Sequence, residues 1–314
     1  MYEVHLTGTF PRPEQLIDVS RRFDRGRTSD SELQESLTHS ARELIELQIS
    51  NGLNLLVDGQ LNWQDLFRPF ADLFAGIEAG TLTRWFDNNT FYRTPIVIDN
   101  VKRTDIAVTK YYRADLMRTG RRKAIMPGPY TFAKLSENTT YSSFADLVDD
   151  LAHSLATVSR ELTDIGYEFQ QFNEPSLCTA TVEELEMAKR GFETIAKSSP
   201  TIMLQTYFGN LSHIINELVN FPVDCIGVDF YANDISILEE CTFSKDISCN
   251  CIDGRNSLIE PAERIVELVT KVRDAVEPHR IYVGPNCDLE FLPYPVAERK
   301  VQLLGEVRRK LNGQ

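Results

Sequence analysis

The chain has 314 residues, 42% hydrophobic and 25% charged, with no repeat or low-complexity stretch; disorder is excluded, and one α/β barrel fills this length as a single domain. Its 33 basic against 46 acidic residues give a formal charge of −13, which opposes the counterion release that draws proteins onto nucleic acid or anionic lipid, so neither is an expected partner. No apolar run reaches the roughly 18 residues of a membrane span, and Met1-Tyr2-Glu3-Val4-His5 shows no basic or long apolar leader pattern, so a cytoplasmic location is expected.

Short runs rich in Val, Ile and aromatics alternate with longer amphipathic segments, the pattern of βα units whose strands are buried on both faces. Eight strands are predicted, over 4–7, 54–58, 124–127, 168–173, 202–207, 225–229, 247–252 and 281–284. Pro11, Pro13 and the arginines between Arg21 and Arg27 mark the stretch after the first strand as a loop with an exposed basic patch. Helices are expected at 31–50, 144–164, 182–197, 212–219, 261–275 and 296–311, where apolar residues recur at three- and four-residue spacing. The segment 59–123 is too long for a simple connection and carries both tryptophans and a hairpin signal near 96–112. It reads as an ordered insertion between the second and third strands of a single (β/α)₈ barrel of the TIM type.

In such a barrel chemistry gathers at the carboxyl ends of the strands. Polar residues cluster there: Asp58 and Gln60, Asn173-Glu174-Pro175, Thr206-Tyr207, Asp229, Asp253-Gly254-Arg255-Asn256, and Asn286-Cys287. Glu174, Asp253 and Cys287 are the candidates for chemistry. An Asn-Glu-Pro after the fourth strand resembles the acid/base motif of retaining glycosidases, whose mechanism needs a second carboxylate about 5 Å away. Here the seventh strand ends in Asp253, so that rival lacks the Glu it needs; the alternative for Glu174 is a salt bridge to a mouth arginine such as Arg255. No metal site is expected in this chain. Of the five histidines only His5 lies on a predicted strand, and Cys287 with Asp229 and Glu174 lacks the imidazole or second thiolate of a tight zinc site. The six cysteines, Cys178, Cys225, Cys241, Cys249, Cys251 and Cys287, are expected as reduced thiols; Cys249 and Cys251 read as small core residues.

An ordered set of motifs along nearly the whole chain resembles cobalamin-independent methionine synthase. Gly8-Thr9-Phe10-Pro11-Arg12 is similar to its opening Gly-Phe-Pro-Arg, Leu82-Thr83-Arg84-Trp85-Phe86-Asp87-Asn88-Asn89 to its Met-Thr-Lys-Trp-Phe-Asp-Thr-Asn, and Gly128-Pro129-Tyr130-Thr131-Phe132 to its Gly-Pro-Val-Thr-Phe. Thr206-Tyr207-Phe208-Gly209, Phe221-Pro222-Val223-Asp224, Ile252-Asp253-Gly254-Arg255-Asn256 and Cys287 with Leu292-Pro293 continue the match.

That enzyme resembles two fused barrels, a zinc-bearing carboxyl-terminal one and a diverged amino-terminal copy, and the motifs here side with the copy. Where the catalytic barrel has His-x-Cys this chain has Leu204-Gln205-Thr206, and where it has a zinc-binding Glu this chain has Asp229; of that set only Cys287 remains. Gln60 and Asn173 replace the acids that hold the homocysteine amino group, which removes the charge that would pair with an ammonium. The resemblance implies that Arg84 takes the place of the lysine contacting the anionic tail of the folate substrate, with bidentate reach toward carboxylates. The other tail motif, Arg-Glu-Leu-Lys, is not matched by Pro13-Glu14-Gln15-Leu16-Ile17. The expected binding residues are therefore Arg84 and, around the mouth, Arg12, Gln60, Asn173, Tyr207, Asp229, Arg255 and Asn256. The expected partner is a separately encoded zinc barrel, with a folate-type donor as small molecule; an autonomous zinc-free enzyme is the alternative.

Overall fold

The protein is described by a computed structural model that covers residues 2–198, 200–239 and 241–313. In chain order its strands are β1 (Tyr2–Val4), β2 (Leu55–Leu56), β3 (Phe74–Arg84), β4 (Phe91–Arg103), β5 (Arg121–Pro127), β6 (Glu137–Asn138), β7 (Tyr167–Asn173), β8 (Ile202–Gln205), β9 (Cys225–Asp229), β10 (Asp246–Ile252) and β11 (Ile281–Pro285). The helices are α1 (Glu14–Asp24), α2 (Asp30–Ser50), α3 (Arg68–Leu73), α4 (Pro129–Lys134), α5 (Phe144–Asp164), α6 (Val182–Ile195), α7 (Ile215–Leu218), α8 (Ala262–Val276) and α9 (Tyr294–Leu311).

Eight strands run parallel in the order β1-β11-β10-β9-β8-β7-β5-β2. A parallel bridge between His5 and Leu55 joins the two edges, so the sheet closes into a (β/α)₈ barrel. Strands such as β9, buried at every position, and helices such as α5, whose buried Leu147, Leu151, Leu155, Val158 and Leu162 form one stripe, are what the alternating apolar runs dictate. Side-chain caps fix where several helices begin. Ser29 and Ser143 accept the amides of Glu32 and Asp146, and Thr181 with Glu184 forms a reciprocal capping box on α6.

Three expectations need correction. The stretch after β1 is not a bare loop: α1 occupies Glu14–Asp24, buries Leu16, and ties Arg22 to Asp18 and Glu32. Prolines just ahead of a helix are compatible with its start, and Arg21 and Arg22 sit in its last turn, where the dipole favours them. The hairpin, expected near 96–112, is instead the longer antiparallel pair β3–β4, extended by β6 into a three-stranded sheet beside the barrel. Residues beyond it form short turns at Val108–Lys110 and Ala114–Leu116. Gly76, at φ +80°, sits in a register shift of β3 where a Cβ would stand 2.6 Å from the carbonyl oxygens of Asp99 and Asn100. The inner face of the hairpin packs Phe74, Trp85 and Tyr92 near Phe67 and Phe132. The helix expected over 212–219 is reduced to α7.

The inside of the barrel is unusual. Its amino end is plugged by an apolar cluster of Leu55, Phe169, Met203, Cys225 and Tyr282. Above the plug, branched aliphatic layers give way to buried polar side chains: His5, Lys123, Gln171, Gln205, Ser248 and Asn250. Gly227 makes room for them, since a Cβ there would stand 2.1 Å from Gln205 Oε1.

Candidate functional site

At the carboxyl ends of the strands the polar residues separate into two groups. Those of the first group are turned inward and bonded to the protein's own backbone. Glu174, fully buried after β7, accepts from the Tyr130 amide at 3.0 Å and the Thr131 amide at 2.7 Å, the first residues of α4. Gly128 permits this approach, because a Cβ there would lie 2.1 Å from the Glu174 carboxyl carbon. Of the two readings of Glu174, the salt bridge to Arg255 gives way to this helix-capping arrangement; a sequence does not display the backbone amides that compete for a carboxylate. Burial pushes the Glu174 carboxyl up to about 7, against the pull of the Thr131 and Tyr130 hydrogen bonds. That value would suit a general acid, but both of its oxygens are engaged.

Asp229, at the end of β9, accepts from the Phe208 amide at 3.2 Å, the Tyr231 amide at 2.9 Å and Asn286 Nδ2 at 3.2 Å. Asp58 accepts from the amides of Gln60 and Arg113, which ties the mouth to the long insertion. Burial raises both acids above the ordinary carboxylate range. Phe208 at φ +69° and Gln60 at φ +54° are held in the left-handed region beside these anchors. Gln60 Oε1 accepts from Thr9 Oγ1, whereas its Nε2 and the Tyr207 hydroxyl are buried with no hydrogen-bond partner. Asn173 Oδ1 accepts from Gln171 Nε2 at 2.7 Å, and Arg12 spends its guanidinium on the carbonyls of Leu61 and Trp63. Cys287 is wholly buried and its thiol is pushed up by burial and by Asp288.

The second group faces a cavity of 740 Å³ between the β3–β4 turn and the barrel mouth. Arg84 and the 87–90 turn line it from the hairpin; Asp253, Arg255 and Asn256 line it from the loop after β10, with Glu290 and Phe291 from the loop after β11. The Arg255 guanidinium lies 4.9 Å from the centre of the Phe208 ring. Asp253 accepts the Arg255 amide and Asn256 the Leu258 amide, so the loop is built of Asx turns. Glu260 fastens it from behind: its carboxylate takes the Asp253 amide, the Tyr231 hydroxyl and the wholly buried Lys300. Burial pushes Glu290 up to about 7 against the pull of the Arg12 guanidinium.

Of the residues singled out from sequence, the structure thus brings together Arg84, Asp253, Arg255 and Asn256. Glu174, Cys287, Arg12, Gln60, Asn173, Tyr207 and Asp229 are not among the residues lining this cavity. Sequence reasoning missed Glu290, Phe291, Glu260 and Lys300; Glu290, three residues beyond Cys287, had only that neighbourhood as a signal. Among the described residues, no three His, Cys, Asp or Glu side chains converge in an arrangement that would hold a metal ion.

A closed parallel barrel with a polar cavity at the carboxyl ends of its strands defines an α/β-barrel protein of the binding or catalytic kind. The chain belongs to the family described as cobalamin-independent synthase, N-terminal domain, whose model matches residues 74–277. It is similar to the methionine synthase of Saccharolobus islandicus, 24% identical over 300 residues that cover 94% of this chain and 90% of that protein. It is also similar to the 5-methyltetrahydropteroyltriglutamate–homocysteine methyltransferase of Bacillus thuringiensis, 30% identical over 249 residues, covering 74% of this chain but 33% of that protein. Its fold matches a B12-independent methionine synthase from Shewanella sp. W3-18-1, solved in complex with selenomethionine, with a TM-score of 0.84, 19% identity and 99% of each chain covered. No helix among the described residues is long and apolar enough to cross a membrane.

Proposed function

We propose that this chain acts as one barrel domain, in the cytoplasm, as the zinc-free half of a two-barrel methionine synthase. It assists methyl transfer from a folate-type donor to homocysteine, with zinc carried by a separately encoded barrel. The observation that carries the reading is the pairing of Arg84 and Arg255 across one polar cavity. Two guanidiniums from different elements, one on the hairpin and one on a strand-end loop, suit an oligocarboxylate tail that bridges them. Zinc in the partner would activate the homocysteine thiol as a thiolate. This chain's part is to hold the anionic end of the donor and present its methyl group toward the partner.

The Saccharolobus islandicus relative, matched over 90% of its own length, favours a second reading in which one barrel of this kind acts alone. One experiment separates the two. Methionine formation from 5-methyltetrahydropteroyltriglutamate and homocysteine is assayed with this chain, with a zinc barrel of the family, and with both, alongside co-purification. The two-barrel reading expects association at micromolar concentration and a faster rate with both chains than with the zinc barrel by itself. Turnover by this chain alone would establish the second reading, and full activity of an unassociated zinc barrel would overturn the first.

A further inference from the structure

The barrel interior holds a titratable pair that the mouth does not use. Lys123, on β5, is wholly buried, and its Nζ touches three acceptors: the Leu6 carbonyl, Gln171 Oε1 at 2.7 Å and His5 Nδ1 at 2.6 Å. The apolar plug closes the barrel beneath it. Upward, side-chain contacts run from His5 to Gln205, whose Nε2 lies 3.1 Å from the Thr206 carbonyl, and Asn286 continues them through its main-chain carbonyl on one side and its side-chain amide on the other. His5 Nε2 is 2.9 Å from Ser248 Oγ, which is 2.8 Å from Asn250 Oδ1. Asn250 Nδ2 is 3.0 Å from Gln205 Oε1, Gln205 Nε2 is 3.4 Å from the Asn286 carbonyl, and Asn286 Nδ2 is 3.2 Å from Asp229 Oδ1.

Counting donors allows the contacts two arrangements. An ammonium has three N–H donors and no lone pair, which matches the three acceptors around Nζ. His5 Nδ1 then accepts, the neutral ring carries its proton on Nε2 and donates to Ser248, and the single Ser248 proton goes to Asn250. Every side-chain donor above His5 then points toward the mouth. A neutral amine has two donors and a lone pair. Leu6 and Gln171 take the donors, and the ring proton moves to Nδ1, which faces the amine lone pair and lies 2.9 Å from the Leu6 carbonyl. Nε2 becomes a bare acceptor that captures the Ser248 hydroxyl, and Asn250 loses its donor. In passing between the states one proton leaves the ammonium for water, and the ring proton ends on Nδ1 instead of Nε2.

We propose that Lys123 and His5 form a proton switch sealed inside the barrel, read at the mouth through Ser248, Asn250, Gln205 and Asn286 as a change in the hydrogen bonding of Asp229. Asp229 in turn holds the Phe208 amide, and Phe208 carries the Arg255 guanidinium of the cavity on its ring. Few other titratable groups face the pair. Cys225 of β9 and Asp288 beyond β11 act on Lys123, and Tyr282 of β11 sets its ring edge-on to His5 at 6.2 Å. From β2, β7, β8 and β10 come Leu55, Gln171, Gln205 and Ser248, none of which ionises in this range. Burial lowers the pKa of both members, and the charge of Lys123 lowers that of His5 further, so the ring stays neutral while the lysine titrates.

The test is NMR of the whole chain labelled with 15N in its imidazoles and 13C at lysine Cε, with His5→Gln assigning the ring. Between about pH 6 and 10, His5 is expected to pass from the Nε2–H to the Nδ1–H pattern with one midpoint, shared by a single lysine signal that titrates well below the other lysines. Lys123→Met should abolish both transitions. Asp229→Asn should move the midpoint by about half a pH unit or more, and should no longer do so when Ser248→Ala cuts the chain. The Asp229 and Ser248 variants keep the test decisive if Lys123→Met does not fold. A His5 tautomer that stays constant across the range, a Lys123 signal that titrates with the surface lysines, or an Asp229→Asn shift that survives Ser248→Ala would each overturn the switch.

Discussion

Two arcs of one barrel mouth use similar polar residues in opposite ways. In the arc of Glu174, Asp229 and Asp58 each carboxylate is turned onto backbone amides and holds a turn of the mouth. In the arc of Arg84, Arg255 and Asn256 the side chains line an open cavity, and the acid that anchors their loop, Glu260, is bonded from behind. A polar residue at a strand end is therefore not yet a site. What separates a scaffold residue from a binding one is whether its donors and acceptors are already spent, and that divides the mouth into a part whose mutation unfolds and a part whose mutation unbinds.

The sharpest way to break this division is Gly128→Ala. The added Cβ would meet the Glu174 carboxyl group at 2.1 to 2.2 Å, closer than any real contact, so either Glu174 or the start of α4 must shift. A loss of about 3 kcal/mol in urea unfolding is expected, at the upper end of overpacking effects. A change smaller than about 0.5 kcal/mol would mean that the Glu174 cap is loose and that its carboxylate is available for chemistry after all.

The second test uses pH, and its sign is opposite to that of a salt-bridged carboxylate. Glu174 rises from an ordinary 4.5 to about 7 in the folded chain, so the native state binds this proton more tightly than the unfolded one. Its contribution is therefore fully present below about pH 4.5 and is lost as pH rises through 7, at most about 3 kcal/mol. Glu290, also pushed up to about 7, acts in the same direction. Unfolding midpoints should fall between pH 5 and 8, and Glu174→Gln should flatten part of that fall while costing one of the two amide hydrogen bonds. A midpoint that climbs over this range, or a slope that Glu174→Gln leaves untouched, would place the buried proton elsewhere.

The difference between the arcs also explains how much could be read from the chain itself. The barrel was legible because its strands are apolar runs and most of its helices keep a clear stripe. The exceptions have physical reasons: β3 breaks its alternation with Gly76 and Gly80, and α1 hides behind two prolines and a run of arginines. In the site, Arg84 was legible through the motif around it. The partners of Glu174 were not legible, because they are main-chain amides 43 and 44 residues away, which no side-chain pattern marks. The interior chain was not legible at all. His5, Lys123, Gln205 and the pair Ser248 and Asn250 lie on or beside four different strands, and only closure of the barrel brings these four within reach of one another.

The smallest effect on folding, and the most informative on binding, belongs to the open arc. Arg84 is exposed on the hairpin and Arg255 is exposed on its loop, and neither guanidinium is hydrogen-bonded to a carboxylate among the described residues. Arg84→Ala and Arg255→Ala should each change unfolding free energy by less than about 0.5 kcal/mol, as expected for exposed side chains without spent donors. Binding of 5-methyltetrahydropteroyltriglutamate, measured by calorimetry, should weaken by about 1–2 kcal/mol for each, or roughly 5- to 30-fold. The double variant decides whether the two act on one anion. If both guanidiniums hold the same oligocarboxylate tail, losing the first lets the tail swing away from the second, and the double variant should lose less than the sum of the two singles. Strict additivity would mean two independent contacts. Unchanged affinity in both single variants would remove the cavity, and with it the donor-binding role assigned to this arc.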